Sequence, residues 1–346
     1  MRRTTLAVLL LPILLFACQS ARAFPTSTIA PSRTFTETPF PTATASITLA
    51  PTLTPTPYPY WQYTIEYLRS RAYGGGTIEV VETVGTNSAF TRYLIRYPSD
   101  GLMIYGFMNV PHGEGPFPVI IALHGYIDPD VYGTFDYTTH YADALASAGY
   151  LVIHPNLRGY PPSDDGDNLF RVGMATDVLN LIAIVKAKSG GLELLQSSDP
   201  DRIGLWGHSM GGGITTRVLT VSRDVKAAVL YGAMSGDEQK NYEAILRWSN
   251  GTRGTEELNM PAEQLSRISA MYFFDDITAS VSIHHGMADT LVPVQWSMLT
   301  CEQLKALGKN VECFYYDDMP HTFHGQGYKE FIQNTILFFD RTLKIP

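Results

Sequence analysis

The stretch Gly207-His208-Ser209-Met210-Gly211 constrains the fold of this chain more than any other feature. An apolar run over 202–206 precedes it, and a run with helical character over 212–219 follows it. A serine between glycines at a sharp strand-to-helix turn projects its hydroxyl above a sheet. Backbone N–H groups at the start of the helix can then stabilise negative charge that develops beside it. The stretch therefore predicts Ser209 as a nucleophile.

A serine nucleophile needs a base and an orienting acid, which follow it in the order acid, then histidine. An apolar strand over 279–285 ends in Gly286-Met287-Ala288-Asp289. An acid just beyond the carboxyl end of a strand lies where an open α/β sheet forms its site. Asp289 is therefore the predicted orienting acid, and a turn aspartate that caps the next helix is the alternative interpretation.

The predicted base comes from the loop after a further strand over 310–316. That loop holds His321 and His324, and His321 is favoured because it comes sooner after the strand and begins an H-x-F pattern. Asp317 and Asp318, in the same loop, are interpreted as solvated charges. Either would serve as a replacement acid if Asp289 pointed away from the site.

Two backbone N–H groups are predicted to hold the oxyanion. One belongs to Met210, which follows the nucleophile. The other comes from the loop after an earlier core strand. An apolar strand that begins at 118 ends in His124-Gly125-Tyr126, where the glycine allows close backbone approach. The N–H of Tyr126 is the predicted second donor, and the side chain of His124 is interpreted as a packed structural group.

The remaining pattern predicts an α/β fold. Strand-like runs over 77–84, 89–97 and 102–110 indicate an antiparallel start, and strands then alternate with helices, which is typical of a doubly wound, mostly parallel sheet. Over about 236–278 helical periodicity at 241–248 and 263–274 predicts a small cap inserted over the site. Its large apolar side chains would line an acyl or leaving-group pocket, or else hold the cap to the sheet: Tyr242, Trp248, Met271, Tyr272, Phe273 and Phe274.

Taken together, these pieces resemble the α/β-hydrolase superfamily and, within it, the catalytic domain of the prolyl oligopeptidase family. They are similar to its dipeptidyl-aminopeptidase-like and acyl-aminoacyl-peptidase-like members. The resemblance spans about residues 61–345, and these stretches carry it: 99–111, 124–125, 156–160, 199–212, 285–293 and 321–323. It implies an α/β-hydrolase fold and a Ser209, His321, Asp289 triad that cleaves acyl bonds without a cofactor.

Two departures from the family pattern affect what the resemblance implies. Asn156 stands where many relatives have a structural aspartate. Large relatives also carry a β-propeller, and the roughly 65 residues between the front segment and His124 are too few for one. The first prediction is a peptidase that acts on short peptides, and the alternative is a carboxylesterase of acetyl or feruloyl type. A non-catalytic binding lipoprotein that keeps the fold is the second alternative.

The front of the chain reads as an export and anchoring segment. Residues 1–18 have a positive start, an apolar core and a lipobox-like end at Cys18, which is the predicted lipidation site. Residues 19–58, rich in Thr and Pro, predict a disordered tether, and 59–346 form the hydrolase domain. We expect an exported protein, lipid-anchored at the outer face of the cell membrane; ordinary signal cleavage and secretion is the alternative.

Charge, histidine and cysteine content indicate which partners, metal sites and disulfides the sequence allows. The net charge is −8 and no basic cluster occurs, which argues against nucleic acid as a partner. A small peptide or ester is the expected substrate, and the oligomeric state cannot be read from the sequence. The histidines and cysteines show no metal-site spacing, so no metal is expected. Cys301 and Cys313 are within geometric reach of a disulfide, and two buried free thiols fit the sequence equally well.

Overall fold

The computed structural model describes residues 60–190, 194–257 and 260–344. The expected signal segment, the lipidation site Cys18 and the whole Thr/Pro-rich tether lie outside the described residues. Among the described residues, no helix is both long enough and apolar enough to cross a membrane.

A nine-stranded sheet organises the fold, in the order β1-β2-β3-β5-β4-β6-β7-β8-β9. The pairings β1–β2, β2–β3 and β3–β5 are antiparallel, and all pairings from β5 through β4 to β9 are parallel. This confirms the antiparallel start and the mostly parallel remainder. The strands are β1 Glu79–Thr86, β2 Phe90–Ser99, β3 Leu102–Pro111, β4 Phe117–Leu123, β5 Leu151–Pro155, β6 Ser198–His208, β7 Val225–Tyr231, β8 Ser280–Gly286 and β9 Val311–Tyr316.

Helices cover both faces of the sheet, as the doubly wound pattern predicts. Successive strand residues point to opposite faces, so Leu205 of β6 joins the core beneath α3, α4 and α7, while its neighbour Trp206 joins the core beneath α2 and α8. The helices are α1 Ile65–Ser70, α2 Thr139–Ser147, α3 Val172–Lys188, α4 Met210–Val221, α5 Glu238–Trp248, α6 Ala262–Ile268, α7 Val294–Ala306 and α8 Gly325–Phe339.

The inserted cap differs from its prediction in one respect. A single helix over 263–274 is wrong, because the chain breaks at Ser269, which has an extended backbone, and continues as a 3-10 helix over Ala270–Asp276. Two contacts explain the break: the Ser269 hydroxyl accepts a hydrogen bond from the N–H of Glu238, and the N–H of Met271 donates to the carbonyl of Gly236. Contacts with the first cap helix therefore override local helical periodicity.

The two cysteines of the hydrolase domain form a disulfide. Cys301 lies in α7 and Cys313 in β9, with their Cα atoms 6.5 Å apart. The sequence left open a disulfide or two buried free thiols, and the structure contains the disulfide.

Candidate active site

Ser209 lies alone at a sharp turn between β6, which ends at His208, and α4, which begins at Met210. Its φ of 55° and ψ of −116° are unfavourable for a residue with a side chain. Hydrogen bonds hold it there: its N–H donates to the carbonyl of Tyr231 at 2.9 Å, and its carbonyl accepts from the N–H of Met234 at 3.0 Å. The strained turn presents a partly exposed serine at the carboxyl edge of the sheet.

The glycines on either side of this turn are required by close packing. A Cβ on Gly207 would lie 2.4 Å from the carbonyl oxygen of Gly211, and one on Gly211 would lie 2.4 Å from that of Leu123. Both distances are below any tolerable contact, so α4 packs against β4 and β6 only with glycine at these positions. The reason that the sequence pattern requires glycine at both positions is therefore visible in the structure.

Asp289 and His321 meet as predicted, across 32 residues of sequence. The Nδ1 atom of His321 lies 2.7 Å from Oδ2 of Asp289. The other oxygen, Oδ1, accepts the backbone N–H groups of Leu291 at 2.8 Å and Val292 at 2.9 Å. Because a carboxylate only accepts, Nδ1 of His321 carries the proton and Nε2 is left as the base. The alternative interpretation is wrong about the cap, because the N-cap of α7 is Pro293 and no side chain caps it, although Asp289 does hold its own turn.

A second histidine, His285, donates to the same carboxylate. Its Nε2 lies 3.0 Å from Oδ2 of Asp289, and its Nδ1 lies 2.7 Å from the hydroxyl of Ser297. Burial disfavours the charged form of Asp289, but the hydrogen bonds from His285 and His321 outweigh it and hold the pKa of the carboxyl well below its usual range. The acid is therefore ionised at neutral pH. Sequence reasoning assigned no role to His285, although it lies four residues before Asp289 in a matched stretch.

The ring of His321 lies against the turn that carries Ser209. Its centroid is 4.6 Å from that of His208, the residue immediately before the nucleophile. A Cβ added to Gly232 would lie 3.3 Å from Nδ1 of His321. The segment after β7 thus needs glycine here to pass beneath the base before it reaches Met234 and the carbonyl of Ser209. The structure brings all three predicted triad residues to one end of the parallel strands.

The two predicted oxyanion donors are the backbone N–H groups of Tyr126 and Met210. Within the described part of the chain, neither the N–H of Tyr126 nor that of Met210 donates to a backbone carbonyl. Met210 is the first residue of α4, where helix N–H groups lack intrahelical partners. The Tyr126 loop also approaches the nucleophile, because a Cβ on Gly125 would lie 3.1 Å from Cβ of Ser209. Both N–H groups are thus available near Ser209.

The other candidates from the sequence lie outside this arrangement. His324 is exposed at the start of α8, and Asp317 and Asp318 are exposed loop residues. His124 is buried, and its ring nitrogens lie 2.7 Å from the carbonyl of Gly125 and 2.8 Å from that of Asn156. It packs as a structural group beneath the Tyr126 loop.

One edge of the cap reaches the Tyr126 loop. Trp248, at the end of α5, stays 54% exposed, and its ring meets that of Tyr126 edge-on at 4.9 Å. The guanidinium of Arg253 lies 5.1 Å above the Tyr126 ring and 3.4 Å from Asp128.

The other cap aromatics point elsewhere. Phe274 is buried in the main core, Tyr242 packs in a separate cluster with Phe170, and Tyr272 is 62% exposed. Phe273 lies beneath the guanidinium of Arg69. Met271 packs against the main core. Of the predicted pocket side chains, Trp248 is therefore the one that contacts the Tyr126 loop. Among the described residues, no cluster of histidine, cysteine or carboxylate side chains could hold a metal ion.

Sequence comparisons identify the family to which this chain is similar. The model of the prolyl oligopeptidase family matches residues 135–345, more than half of the chain. The uncharacterized peptidase YtmA of Bacillus subtilis is 27% identical over 239 residues, which cover 67% of this chain and 86% of that protein. The uncharacterized peptidase YuxL of the same organism is 22% identical over 272 residues, which cover 72% of this chain but only 39% of that protein.

Comparison with solved structures supports the fold. The acylaminoacyl peptidase of Pyrococcus horikoshii superposes with a TM-score of 0.60 at 24% identity, covering 75% of this chain and 43% of that one. Acetyl xylan esterase 1 from Thermoanaerobacterium superposes with a TM-score of 0.59 at 19% identity, covering 81% of this chain and 92% of that one. The chain thus spans about two fifths of YuxL and of the Pyrococcus enzyme. With its sheet, its strained serine turn and this match, the chain belongs to the prolyl oligopeptidase family and has the α/β-hydrolase fold.

Proposed function

We propose that Ser209, His321 and Asp289 form a catalytic triad and that the protein cleaves acyl bonds of short peptides. The observation that carries this proposal is the 2.7 Å contact between Nδ1 of His321 and Oδ2 of Asp289, formed beside the turn that presents Ser209. Because Nδ1 then carries the proton, Nε2 of His321 is left as the proton acceptor of the proposed triad.

Each residue has one task in the reaction. The Oγ atom of Ser209 attacks the carbonyl carbon, and Nε2 of His321 takes the hydroxyl proton. The resulting oxyanion is held by the N–H groups of Tyr126 and Met210. His321 then gives the proton to the leaving group, and water repeats the sequence on the acyl-enzyme. Asp289 stays ionised and stabilises the imidazolium, as its low pKa requires.

Family membership and the two Bacillus peptidases support a peptide substrate. The rim of the site supports a small one, because the cap residues Trp248 and Arg253 both contact the ring of Tyr126, the residue whose N–H is the predicted oxyanion donor. We propose that this edge contacts the substrate group nearest the scissile bond.

A carboxylesterase is the second candidate, and one specific observation favours it. The chain covers 92% of acetyl xylan esterase 1 but only 43% of the Pyrococcus acylaminoacyl peptidase. In extent, the described domain is therefore closer to the esterase. A triad of this kind serves esters and amides alike, and amides need firmer protonation of the leaving group.

Paired initial rates separate the two candidates. The substrates are a p-nitrophenyl ester and a p-nitroanilide that share one acyl group, with Ser209→Ala as the inactive variant and Ser70→Ala, an exposed serine of α1, as the matched control. A kcat/KM for the anilide within about tenfold of the ester, or about 1.4 kcal/mol in barrier, supports the peptidase. Turnover of the ester alone supports the esterase. Undiminished turnover by Ser209→Ala rejects the triad.

A fluorophosphonate probe separates both enzymes from the non-catalytic binding lipoprotein. Such a probe forms a covalent bond only with an activated serine. Labelling of the native chain but not of Ser209→Ala supports an enzyme, whereas an unlabelled native chain supports the binding protein.

We also propose that the protein is exported and lipid-anchored through Cys18. Two features support this: the sequence of residues 1–18, and the Cys301–Cys313 disulfide, because disulfides persist in oxidising compartments. Metabolic labelling with a tritiated fatty acid tests the anchor. Label in the native chain and none in Cys18→Ala is the expected result, and equal label in both would reject lipidation at this residue.

A further inference from the structure

His208 connects the nucleophile turn to the loop of the base. It is the last residue of β6, is fully buried, and its Nε2 lies 2.9 Å from the main-chain carbonyl of His321. Its ring stacks on Tyr231 with a centroid distance of 4.1 Å. The hydroxyl of Tyr231 also accepts the N–H of Phe323, two residues beyond the base. The loop that carries His321 is thus hydrogen-bonded to His208 and Tyr231, which end the adjacent parallel strands β6 and β7.

Hydrogen-bonding rules fix the state of the His208 ring. A carbonyl oxygen only accepts, so Nε2 must carry the proton that bonds to His321. In a neutral ring Nδ1 is then an acceptor, and the hydroxyl of Tyr137 donates to it. Burial holds the pKa of His208 well below its ordinary value, with the neighbouring His321 acting in the same direction. Both ring nitrogens are therefore occupied, and His208 has none free to act as a base itself.

Tyr137 extends the connection to the loop that carries Tyr126. A Cβ added to Gly125 would lie 2.6 Å from the hydroxyl oxygen of Tyr137 and 3.1 Å from Cβ of Ser209. The tyrosine hydroxyl therefore contacts the Tyr126 loop, which we call the oxyanion loop, and is also hydrogen-bonded to His208. One chain of contacts joins the oxyanion loop, the nucleophile turn and the base loop.

We infer that His208 is a positioning residue that sets the place of the His321 main chain relative to Ser209, and that Tyr137 selects the tautomer that lets it do so. This inference rests on the proposed function, in which His321 is the base. Asp289 fixes only the Nδ1 side of the His321 ring. The residues from Asp317 to His324 have no regular secondary structure of their own, so their main chain needs a separate support.

Kinetics of three variants test the inference. His208→Leu removes the donor to His321, His208→Gln keeps an N–H donor of similar reach, and Tyr137→Phe removes the hydroxyl alone. We expect kcat to fall about 100-fold in His208→Leu with KM unchanged, because small misplacement of a catalytic group costs that much. His208→Gln should restore kcat to within about tenfold of the native chain, and Tyr137→Phe should give an intermediate loss. A kcat for His208→Leu within about twofold of native would overturn the inference.

Nuclear magnetic resonance gives a second readout that needs no substrate. The proton between Nδ1 of His321 and Asp289 should give a far-downfield signal in the native chain, in Ser209→Ala and in His208→Gln. We expect this signal to be broadened or lost in His208→Leu. Nitrogen-15 shifts should show His208 protonated at Nε2. An unchanged downfield signal in His208→Leu, or a His208 ring protonated at Nδ1, would overturn the inference even if no tested substrate turned over.

The two readouts also keep this inference separate from the proposed function. Native-level turnover by Ser209→Ala rejects the triad, whatever the histidine spectra show. Normal loss of turnover in Ser209→Ala, together with native kcat in His208→Leu, leaves the triad in place and rejects only the role of His208.

Discussion

Glu238, the first residue of the cap helix α5, forms a buried ion pair with Arg217 of α4, with 2.5 Å between Oε1 and Nη2. Its other oxygen contacts the guanidinium of Arg171, which also lies 3.5 Å from Glu257 of the cap. Burial disfavours the charged form of Glu238, but Arg171 and Arg217 outweigh it and lower its pKa. Two carboxylates of the cap are thus held by two arginines of the main domain, and one of these, Arg217, lies on the helix that begins directly after Ser209.

Breaking this network should destabilise the protein strongly. Glu238→Gln leaves two buried guanidinium groups without their shared carboxylate, and removal of one member of a buried ion pair costs about 3–5 kcal/mol. Urea unfolding should show this loss in the free energy of unfolding. Glu243→Gln, an exposed glutamate of the same helix, is the control and should change stability by less than about 0.5 kcal/mol. Equal stability of the two variants would show that the network carries no net stabilisation.

The orienting acid should be essential for turnover but not for folding. Asp289→Asn cannot hold Nδ1 of His321 as a charged acceptor, and its amide favours the wrong tautomer. We expect kcat to fall about 10⁴-fold, the size of the effect for this change in triad enzymes generally. Turnover of the p-nitrophenyl ester measures it. Asp317→Asn and Asp318→Asn, in exposed loop positions, should retain native kcat. Loss of activity in either of these, with Asp289→Asn active, would reassign the acid.

A buried histidine should make the protein less stable below neutral pH. His284 is fully buried in β8 and contacts the hydroxyls of Ser282 and Tyr316, and burial lowers its pKa to about 3. The unfolded chain takes up a proton at this residue below about pH 6.5, whereas the folded chain does not. Stability is therefore lost as the pH falls from 6.5 toward 3, at about 1.4 kcal/mol per pH unit.

Unfolding in urea at pH 6.5 and pH 5 measures that slope. In His284→Gln the free energy of unfolding should fall less steeply than in the native chain, by about 1.4 kcal/mol per pH unit. His324→Gln removes an exposed histidine and should leave the slope unchanged. A native slope in His284→Gln would mean that the folded protein accepts the proton at this position.

The parts of the site that could be predicted are those that depend on strand order and on residues near each other in the sequence. Ser209, Asp289 and His321 each follow a strand of a parallel sheet, so topology alone brings them to one edge, and the structure confirms that Asp289 and His321 meet. The sequence also showed that His208 immediately precedes the predicted nucleophile. It did not show the role of His208, because the partner carbonyl lies 113 residues away in the chain. A contact of that kind has no period or spacing to reveal it.

The cap is a second place where long-range contacts decided what the sequence pattern could not predict. Apolar residues over 263–274 recur at helical spacing, yet the chain turns at Ser269 because its hydroxyl binds the N–H of Glu238. The side chain of Glu238 binds Arg171 and Arg217, and none of these three was a candidate from the sequence. Periodicity correctly predicted that this segment contains helices, but it could not identify the buried charges that dock them.

The disulfide between Cys301 and Cys313 should stabilise the protein without contributing to turnover. It closes a loop of 12 residues, and the loss of chain entropy in the unfolded state predicts about 3 kcal/mol of stabilisation. β9, which carries Cys313, ends at Tyr316, five residues before His321. The base is nonetheless held by contacts with Asp289 and His208 that do not involve the bridge. We therefore expect Cys301→Ser/Cys313→Ser to lower the free energy of unfolding by about 3 kcal/mol and to retain native kcat.

Urea unfolding with and without dithiothreitol checks this expectation. Because Cys301 is only 4% exposed, the reductant must be present throughout unfolding and refolding so that the bridge is reduced in the unfolded chain. The native chain should lose the same stability on reduction as the double variant loses by substitution, and the double variant should not respond to the reductant. A native chain that is equally stable with and without dithiothreitol would show that the bridge does not stabilise the fold. A lower kcat in the double variant at 25 °C would show instead that the bridge helps to hold the loop that carries His321.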